Sequence, residues 1–386
     1  MIKNQSHLFS LPTNSTYLNV AYQAPLLKTV EQAGIDTLRK KVFPVHITRE
    51  DFFEPGERLK QQFSQLINAG DPERVAIIGS ASYGLSTAAK NIPYQKGQNI
   101  VLVDEQFPSN IYPWKRVAEE NDLEIRLIQP PASNNRGEQW NAGILAAIDE
   151  NTIVVSMGHV HWADGTKYDL ETVSAKVHAH DGYLVIDGTQ SIGALPFDVQ
   201  VIQPDMVICA AYKWLLGPYS MALAYFNERF DNGVPIEENW INRKDSDQFE
   251  KLVAYEDQYR PKAGRYNMGE CSSFVNVAML NTALEQILDW GVANIQAYCK
   301  SIIDPVIPKF IEAGFNIEDE AFRSNHLFGI RFPEGTDATK LKEKLANKSV
   351  FVSVRGNSIR VAPHVYNDVG DLERLFDVLM TPLLAN

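Results

Sequence analysis

Short, nearly continuous apolar runs recur through the first two thirds of the chain, separated by segments with helical periodicity. Apolar residues on both faces of a strand are typical of a sheet that helices cover on both sides. Amphipathic stretches such as 110–121 and 170–180 lie between the runs, so the alternation predicts βαβ units and a mostly parallel sheet. The predicted strands are 74–78, 99–103, 124–128, 152–157, 183–187 and 205–209.

The last hundred residues have a different pattern, which predicts a small α+β unit. Two helical patterns, at about 273–291 and 296–314, come first. They are followed by strand-like HLFGIRF, a helix at about 337–346, the strand-like pair VFVSV and SIRVA, and a closing helix, DVGDLERLFDVLM. Since 386 residues exceed what one core usually fills, we expect an arm at 1–20, a large domain at 21–275 and a small domain at 276–386.

Composition and charge narrow the classes of partner. The net charge is −12, and the basic residues are scattered, which argues against nucleic acid or an anionic membrane as a partner. No run of about 18 apolar residues predicts a membrane span, and the first twenty residues lack the apolar core of a signal peptide. Three cysteines without CxxC spacing indicate a reduced, cytoplasmic protein.

A lysine stands in apolar company just past one predicted strand. Lys213 follows the strand 205–209 and is flanked by Tyr212 and Trp214, while Asp187 ends the preceding strand. Ligands of open α/β sheets lie beyond the carboxyl ends of the strands. A lysine and a carboxylate at neighbouring strand ends suit pyridoxal phosphate (PLP), which needs a lysine for its Schiff base and an acid for its pyridine nitrogen. Desolvation would lower the lysine pKa and favour its nucleophilic form.

A phosphate cradle is predicted where the first strand runs into GSASYGLSTAAKN. The backbone N–H groups at a helix start there, around Ala81, and the Ser82 hydroxyl would hold an anion. The glycine spacing also fits part of a nucleotide P-loop. Leu85 and Ser86 stand where that motif requires Lys and Ser or Thr, so the nucleotide interpretation fails.

Five ordered motifs resemble the class V aminotransferase family of PLP enzymes. They are GHVHWADGTKYDLE (158–171), IDGTQSIGALPFDV (186–199), CAAYKWLLGPYSMA (209–222), DEQFPSNIYPWKR and SIRVAPHVYND. The last two are similar to the isopenicillin N epimerase-like branch, which is related to cysteine desulfurases and selenocysteine lyases. The resemblance runs from about residue 17 to 377. It implies the aspartate aminotransferase-like fold: a large domain with a mostly parallel seven-stranded sheet between helices, and a small α+β C-terminal domain.

The resemblance also implies roles at the cofactor. Lys213 would carry the Schiff base and move the proton at the substrate's Cα. Asp187 would pair with the pyridine nitrogen, and Gln190 would hydrogen-bond the ring's phenolic oxygen. Phe107 lies where many relatives have a histidine stacked on the ring, and its aromatic face would serve for stacking but not for proton exchange.

The phosphate is expected to meet residues of two subunits. Ala81, Ser82 and the Tyr212 hydroxyl would bind it within one chain. In relatives, a threonine after the glycine of the segment GRYNMGECSSFVN reaches the phosphate of the partner subunit, so the resemblance implies a homodimer with active sites at its interface. Here Glu270 follows that glycine. We predict that Ser272 makes the contact with the phosphate instead, with Cys271 as the alternative.

The substrate is expected to be an amino acid or small amine. Arg360 matches the arginine that grips the α-carboxylate, a task that suits bidentate pairing. Asn19 matches a segment on the substrate side. His161 follows a strand end and is expected to line the pocket. We predict no metal, because the sequence places no carboxylate to complete a set with the histidines.

Several reactions remain open within this family. Transaminase or lyase chemistry is favoured, and the alternatives are a selenocysteine lyase or desulfurase, a kynureninase-like lyase, an epimerase, or a non-catalytic PLP-fold binding protein. The stretch KEKLANKSVFVSVRGNSIR lacks the cysteine that desulfurases carry there, which argues against desulfurase activity. A NAD-dependent dehydrogenase is disfavoured because no GxGxxG follows a strand.

Overall fold

The secondary structure follows the predicted alternation closely. The computed structural model describes residues 2–132, 136–332, 337–356 and 358–381. The strands are β1 (Thr16–Tyr17), β2 (Val75–Ile78), β3 (Asn99–Val103), β4 (Glu124–Ile128), β5 (Thr152–Gly158), β6 (Tyr183–Asp187), β7 (Met206–Ala210), β8 (Ala222–Phe226), β9 (Phe328–Arg331), β10 (Val350–Phe351), β11 (Ser353–Arg355) and β12 (Ser358–Val361). The helices are α1 (Lys28–Lys40), α2 (Arg49–Leu66), α3 (Ala81–Asn91), α4 (Tyr112–Asn121), α5 (Arg136–Ala147), α6 (Leu170–His178), α7 (Val199–Ile202), α8 (Phe274–Trp290), α9 (Val292–Ile303), α10 (Ile307–Glu312), α11 (Ala338–Asn347) and α12 (Val369–Met380).

A seven-stranded sheet forms the centre of the larger part of the molecule. Its strand order is β2-β8-β7-β6-β5-β3-β4, and β8 alone runs antiparallel to its neighbours. The six strands predicted from the sequence are therefore confirmed, as is the mostly parallel sheet. The antiparallel β8 was not predicted. It lies in the long apolar run after Lys213, where no helical segment separates it from β7.

Both faces of this sheet are covered, as the apolar strands predicted. Val75 and Ile77 of β2 pack into one core, with Trp140 and Trp214, whereas Ala76 and Ile78 pack into a second core on the other face. Because successive side chains of a strand alternate between faces, the two cores share one layer of backbone. Burial on both sides leaves the strand ends as the place where polar side chains meet solvent.

The C-terminal part contains an antiparallel sheet of order β11-β12-β9. VFVSV does not form one strand. Val350–Phe351 pairs in parallel with Thr16–Tyr17 of the N-terminal arm, and Ser353–Arg355 forms the hairpin with β12. The single helix expected at 296–314 is also wrong. It is divided into α9 and α10, because Pro305 lacks a backbone donor and Pro308 lies in the first turn of the second helix, where proline is favoured.

The two sheets meet through the loop after β5. Gly329 of β9 lies against this loop so closely that a Cβ atom there would be 2.8 Å from the Asp164 carbonyl oxygen. Gly329 pairs with Arg360 across the small sheet. The close approach therefore holds Trp162, in the same loop, beside Arg360.

Within the described ranges, no helix combines the length and apolar character needed to cross a membrane.

Candidate active site

A cavity of about 330 Å³ opens at the carboxyl edge of the seven-stranded sheet. Its walls come from segments that follow β2, β3, β5, β6 and β7, as expected for an open α/β sheet. Three predicted site residues, Asn19, Arg360 and Ser272, are not among its lining residues. The predicted residues that line it are Ala81, Ser82, Phe107, His161, Asp187, Gln190, Tyr212 and Lys213.

Lys213 extends into this cavity from a tight turn after β7. The Leu216 N–H donates to the Lys213 carbonyl, and the Gly217 N–H donates to that of Ala211, which fixes the turn. The lysine is buried, and its Nζ lies 5.5 Å from the Phe107 ring centroid and 5.4 Å from that of Tyr212. Burial lowers the pKa of Lys213 to about 8, although the nearby Asp187 carboxylate opposes that change.

Asp187 and Gln190 come from the end of β6 and the turn that follows it. One Asp187 carboxylate oxygen accepts a hydrogen bond from the Thr189 N–H at 3.0 Å. The Gln190 amide oxygen accepts from the Trp214 indole at 2.9 Å, and its nitrogen donates to the Ala21 carbonyl at 3.1 Å. An amide nitrogen carries two hydrogens, so Gln190 keeps one donor for a ligand in the cavity.

Helix α3 begins at the opposite wall. The Ser80 hydroxyl caps it by accepting from the Tyr83 N–H, and it also lies 2.9 Å from the Ser82 hydroxyl oxygen. The N–H groups of Ala81 and Ser82 belong to the first turn, where helix geometry provides no carbonyl partner. These donors and the helix dipole make the site suitable for a phosphate.

Tyr212 borders the same wall. Its ring centroid is 4.7 Å from that of Tyr219, which also lines the cavity. Burial raises the pKa of Tyr212 to about 12, with the charges of Tyr219 and Asp187 adding to the effect. The hydroxyl therefore remains protonated at neutral pH and can donate to an anion.

Phe107, which follows β3, and His161, in the loop after β5, form a further part of the cavity wall. The Phe107 ring is half exposed and meets Trp162 edge-on, with centroids 5.5 Å apart. His161 is buried, with Nδ1 2.9 Å from an Asp164 oxygen and Nε2 3.0 Å from the Glu105 carbonyl oxygen. Since both ring nitrogens have protein partners, His161 can meet a ligand only through carbon atoms of its ring.

Arg360 and Asn19 form a second polar group, which adjoins Trp162 in the cavity wall. Arg360 is buried and donates to the Trp162 carbonyl at 2.7 Å and to the Ser353 hydroxyl at 3.2 Å. The same hydroxyl donates to the Asn19 side-chain oxygen at 2.8 Å. The Arg360 Nε is buried without a partner. Burial, and then the charge of Arg355, lower the pKa of Arg360 to about 9.

Ser272 lies in the segment before α8, away from this chain's cavity. The neighbouring Gly269 N–H donates to a Glu237 carboxylate oxygen at 2.7 Å. Glu270 is exposed and Cys271 is buried. The expected contact between Ser272 and a phosphate is therefore not made at this chain's own cavity.

The three cysteines are all buried as free thiols, and none of them lines the cavity. Burial raises the pKa of the Cys209 thiol well above its usual value, and that of Cys271 to about 11. Neither is a thiolate at neutral pH.

Among the described residues, no three His, Cys, Asp or Glu side chains come together as a metal site.

Sequence analysis did not single out several residues of the cavity wall. Ser80, Thr189 and Tyr219 all line it. Ser80 could have been found, because it directly follows a strand and precedes a helix, where a capping serine is common. Thr189 accepts from the Ala210 N–H at 3.1 Å and so joins the ends of β6 and β7, a role that only their pairing reveals.

These residues fit PLP. A buried amine, a carboxylate and an anion-binding helix start surround one cavity, and its volume falls in the range of small-molecule sites, roughly 300–1,000 Å³. The orphaned Nε of Arg360 marks a place for a further anion. The fold and the site together define an α/β enzyme of the PLP-dependent type.

Comparison with known proteins identifies the family. The chain belongs to the aminotransferase class-V family, whose sequence model matches residues 36–373. It is 24% identical over 372 residues to an uncharacterized aminotransferase, YcbU, of Bacillus subtilis, covering 96% of this chain and 95% of that protein. It is also 24% identical over 263 residues to a cysteine desulfurase of Escherichia coli, covering 67% of this chain and 62% of that one.

Solved structures share the fold at low identity. The cystine C-S lyase C-DES, in complex with its reaction product cysteine persulfide, superposes with a TM-score of 0.84 at 18% identity, covering 95% of this chain and 97% of that one. The cysteine desulfurase CsdA of Escherichia coli gives a TM-score of 0.81 at 17% identity, covering 97% and 96%. Family membership confirms the predicted fold and makes this chain a PLP-dependent transferase or lyase.

Proposed function

We propose that this chain is an aminotransferase that acts on an α-amino acid. One observation carries the choice of reaction. Among the described residues that line the cavity, Lys213 alone offers a basic nitrogen without a hydrogen-bond partner. Transamination needs one base that moves a proton away from Cα and returns it to the cofactor, and a single lysine can perform both transfers.

The roles of the residues follow from their positions. When bound, PLP supplies an electron sink that stabilises negative charge at the Cα of an attached amino acid. Lys213 would hold the cofactor, and its amine, whose pKa burial lowers to about 8 in the cofactor-free protein, would accept and donate the proton. Asp187 would keep the pyridine nitrogen protonated. The N–H groups of Ala81 and Ser82 and the Tyr212 hydroxyl would hold the phosphate, and Phe107 would offer its aromatic face to the ring.

Substrate selection is assigned to the second polar group. Arg360 is buried with an unpaired Nε, so a carboxylate beside it would satisfy a nitrogen that otherwise has none. Asn19 orients Arg360 indirectly, because both share the Ser353 hydroxyl. His161 shapes the pocket with its ring.

Competing reactions find less support. A two-base epimerase would need a proton donor on the other side of the cofactor, and the aromatic ring of Phe107 is proposed to lie there. A desulfurase needs a thiolate at the cavity, and the three cysteines are buried elsewhere.

The test is a panel of amino acids, each paired with a 2-oxo acid and incubated with the purified holoenzyme. We expect the oxo acid of one amino acid and the amino acid of its partner to form in equal amounts. Lys213→Ala should abolish both products, whereas Lys96→Ala, at an exposed lysine paired with Asp122, should not. Release of ammonia or sulfide without amino transfer would contradict the proposal and indicate a lyase.

We also propose that the working unit is a homodimer. Large apolar side chains are exposed between α1 and α2 and in the segment before residue 260, with Val42 85%, Val253 89% and Tyr255 97% exposed. The two regions adjoin, because the rings of Phe52 and Phe53 in α2 contact Trp240 and Phe249. An exposed apolar area of this kind suits a symmetric partner.

A cytoplasmic location is proposed from the three free cysteines.

A further inference from the structure

A second arginine, Arg355, accompanies Arg360 beside the cavity. In the β11–β12 hairpin, Ser353 pairs with Arg360 and Arg355 pairs with Ser358. Residues 353 and 355 point to the same face, so Arg355 and Arg360 are diagonal neighbours on it, with Cα atoms about 7–8 Å apart. Their Cζ atoms lie 5.4 Å and 5.9 Å from the centroid of the Trp162 ring, which lines the cavity.

Neither arginine has an acidic partner among the described residues. Among the described residues, the Arg355 side chain makes one hydrogen bond, from an Nη to the Val354 carbonyl. The Nε atoms of Arg355 and Arg360 are both buried without a partner. Two acids on this side of the site, Glu105 after β3 and Asp164 in the loop after β5, both pair with Arg136 instead. Buried guanidinium nitrogens without acceptors are costly unless a ligand supplies them.

The charges at the site also point to two anions. Burial, and then the charge of Arg355, lower the pKa of Arg360. Burial also lowers the pKa of Lys213, where the Asp187 carboxylate opposes the change and the charges of Arg360 and Arg355 add to it. Lys213 would be taken up by its bond to the cofactor, and the substrate's α-carboxylate would pair with Arg360. The charge of Arg355 then remains without a counterion.

We propose that Arg355 binds the side-chain carboxylate of the substrate, so that the enzyme selects a dicarboxylic amino acid. This inference rests on the proposed function, in which Arg360 binds the α-carboxylate. The Trp162 ring, in contact with both guanidinium groups, would hold the two carboxylates apart and set the length of the preferred acid. A single carboxylate shared by both arginines is the competing arrangement, and it gives a different result in the test.

The test measures binding rather than turnover. Succinate, glutarate and butyrate are titrated into the holoenzyme by isothermal calorimetry, for wild type, Arg355→Gln and Arg355→Lys. We expect the preferred diacid to bind about tenfold more tightly than butyrate, as for one added charge-assisted hydrogen bond. Arg355→Gln should lose this preference and leave butyrate binding unchanged, and Arg355→Lys should retain part of it.

Arg116→Gln is the matched control, because it removes one positive charge from an exposed site, where the Arg116 side chain is 78% exposed. It should leave all three affinities unchanged. Equal weakening of butyrate and diacid by Arg355→Gln would overturn the inference in favour of a shared carboxylate. So would the absence of a diacid preference in wild type, or the failure of every acid to bind. The proposed function is judged separately, by oxo acid formation across the amino acid panel.

Discussion

At the scale of the residue, the reactivity of Lys213 should report its burial. In the cofactor-free protein, burial lowers its pKa to about 8, whereas a hydrogen bond from Lys96 to Asp122 raises the pKa of that exposed lysine. Only a neutral amine reacts with formaldehyde. As pH rises from about 6 to about 12, dimethylation of Lys213 should therefore reach its midpoint first, because an ordinary lysine has a pKa near 10.4.

Mass spectrometry of peptides after reductive dimethylation gives both midpoints in one sample. Lys96 is the internal control, because the two residues experience the same reagent and the same pH. Coincident midpoints would mean that Lys213 is hydrated in solution, and the assignment of this lysine as the base would lose its support.

Asp187→Asn should separate binding from chemistry. The amide keeps the shape of the side chain, but it cannot hold the pyridine nitrogen in its protonated form, so we expect turnover to fall by about 10²–10³, as for other lost electrostatic contacts. PLP affinity, followed by fluorescence, should fall as well. Asp198→Asn is the control, since Asp198 caps the short helix α7 at the surface. Unchanged turnover in Asp187→Asn would remove this residue from the proposed mechanism.

The sequence indicated eight of the residues that line the cavity, including its lysine and its carboxylate, for a simple physical reason. Lys213 and Asp187 directly follow apolar strands, and parallel strands deliver their carboxyl ends to one edge. Arg355 was not predictable in the same way. Its significance depends on Trp162 and Arg360, which come from two other segments, and on the absence of an acidic partner among the described residues. Such a relation exists only after the chain has folded.

At the scale of the element, the turn that carries Lys213 depends on Gly193. This glycine has φ of +102°, and a Cβ atom there would lie 2.3 Å from the Trp214 carbonyl oxygen. Gly193→Ala should therefore displace the turn, lowering both the free energy of unfolding and the affinity for PLP. Chemical denaturation and a PLP titration measure the two effects.

Gly97→Ala is the matched control for that substitution. Gly97 also has a positive φ, +87°, but no atom lies within 4 Å of the Cβ that would be added. It should cost only the backbone strain, about 1–2 kcal/mol, and leave PLP affinity unchanged. If the two variants are equally stable and bind PLP equally, the close contact at Gly193 does not position the lysine.

Elements with a local signal were predicted well, and those decided by distant contacts were not. Five of the six parallel strands are buried on both faces, and the sixth, β4, lies at the edge of the sheet with Glu124 and Arg126 on one face. By contrast, VFVSV looks like one strand, and its division between the arm and the hairpin depends on Thr16 meeting Val350. The helix expected at 296–314 shows a local error instead, since Pro305 and Pro308 were available to mark its end.

At the scale of the whole molecule, the proposed dimer predicts complementation between damaged chains. Ser272→Asp would place a carboxylate beside the partner's phosphate, where like charges repel. Chains carrying Lys213→Ala, mixed with chains carrying Ser272→Asp, should regain about half of the wild-type activity per dimer, because one site then receives an intact lysine and an intact Ser272. Activity of purified mixed dimers is the measurement.

Two controls make this result interpretable. Ser301→Asp, at an exposed serine of α9, should not affect a partner's site. Light scattering should give twice the mass of the 43.4 kDa chain. Inactive mixed dimers would show that the segment acts within its own chain, and a fully active monomer would exclude a shared site altogether.

The link between the arm and the arginine hairpin constrains when an active molecule can exist during its synthesis. Asn19 and Ser353, joined by a hydrogen bond, are 334 positions apart in the chain. At about 5–20 residues per second, a ribosome needs roughly twenty seconds to a minute to travel that distance. The strands of the large sheet emerge earlier, but the arm waits unpaired until β10 arrives. Interrupted translation should therefore yield fragments that contain Lys213 but lack the group that recognises the substrate.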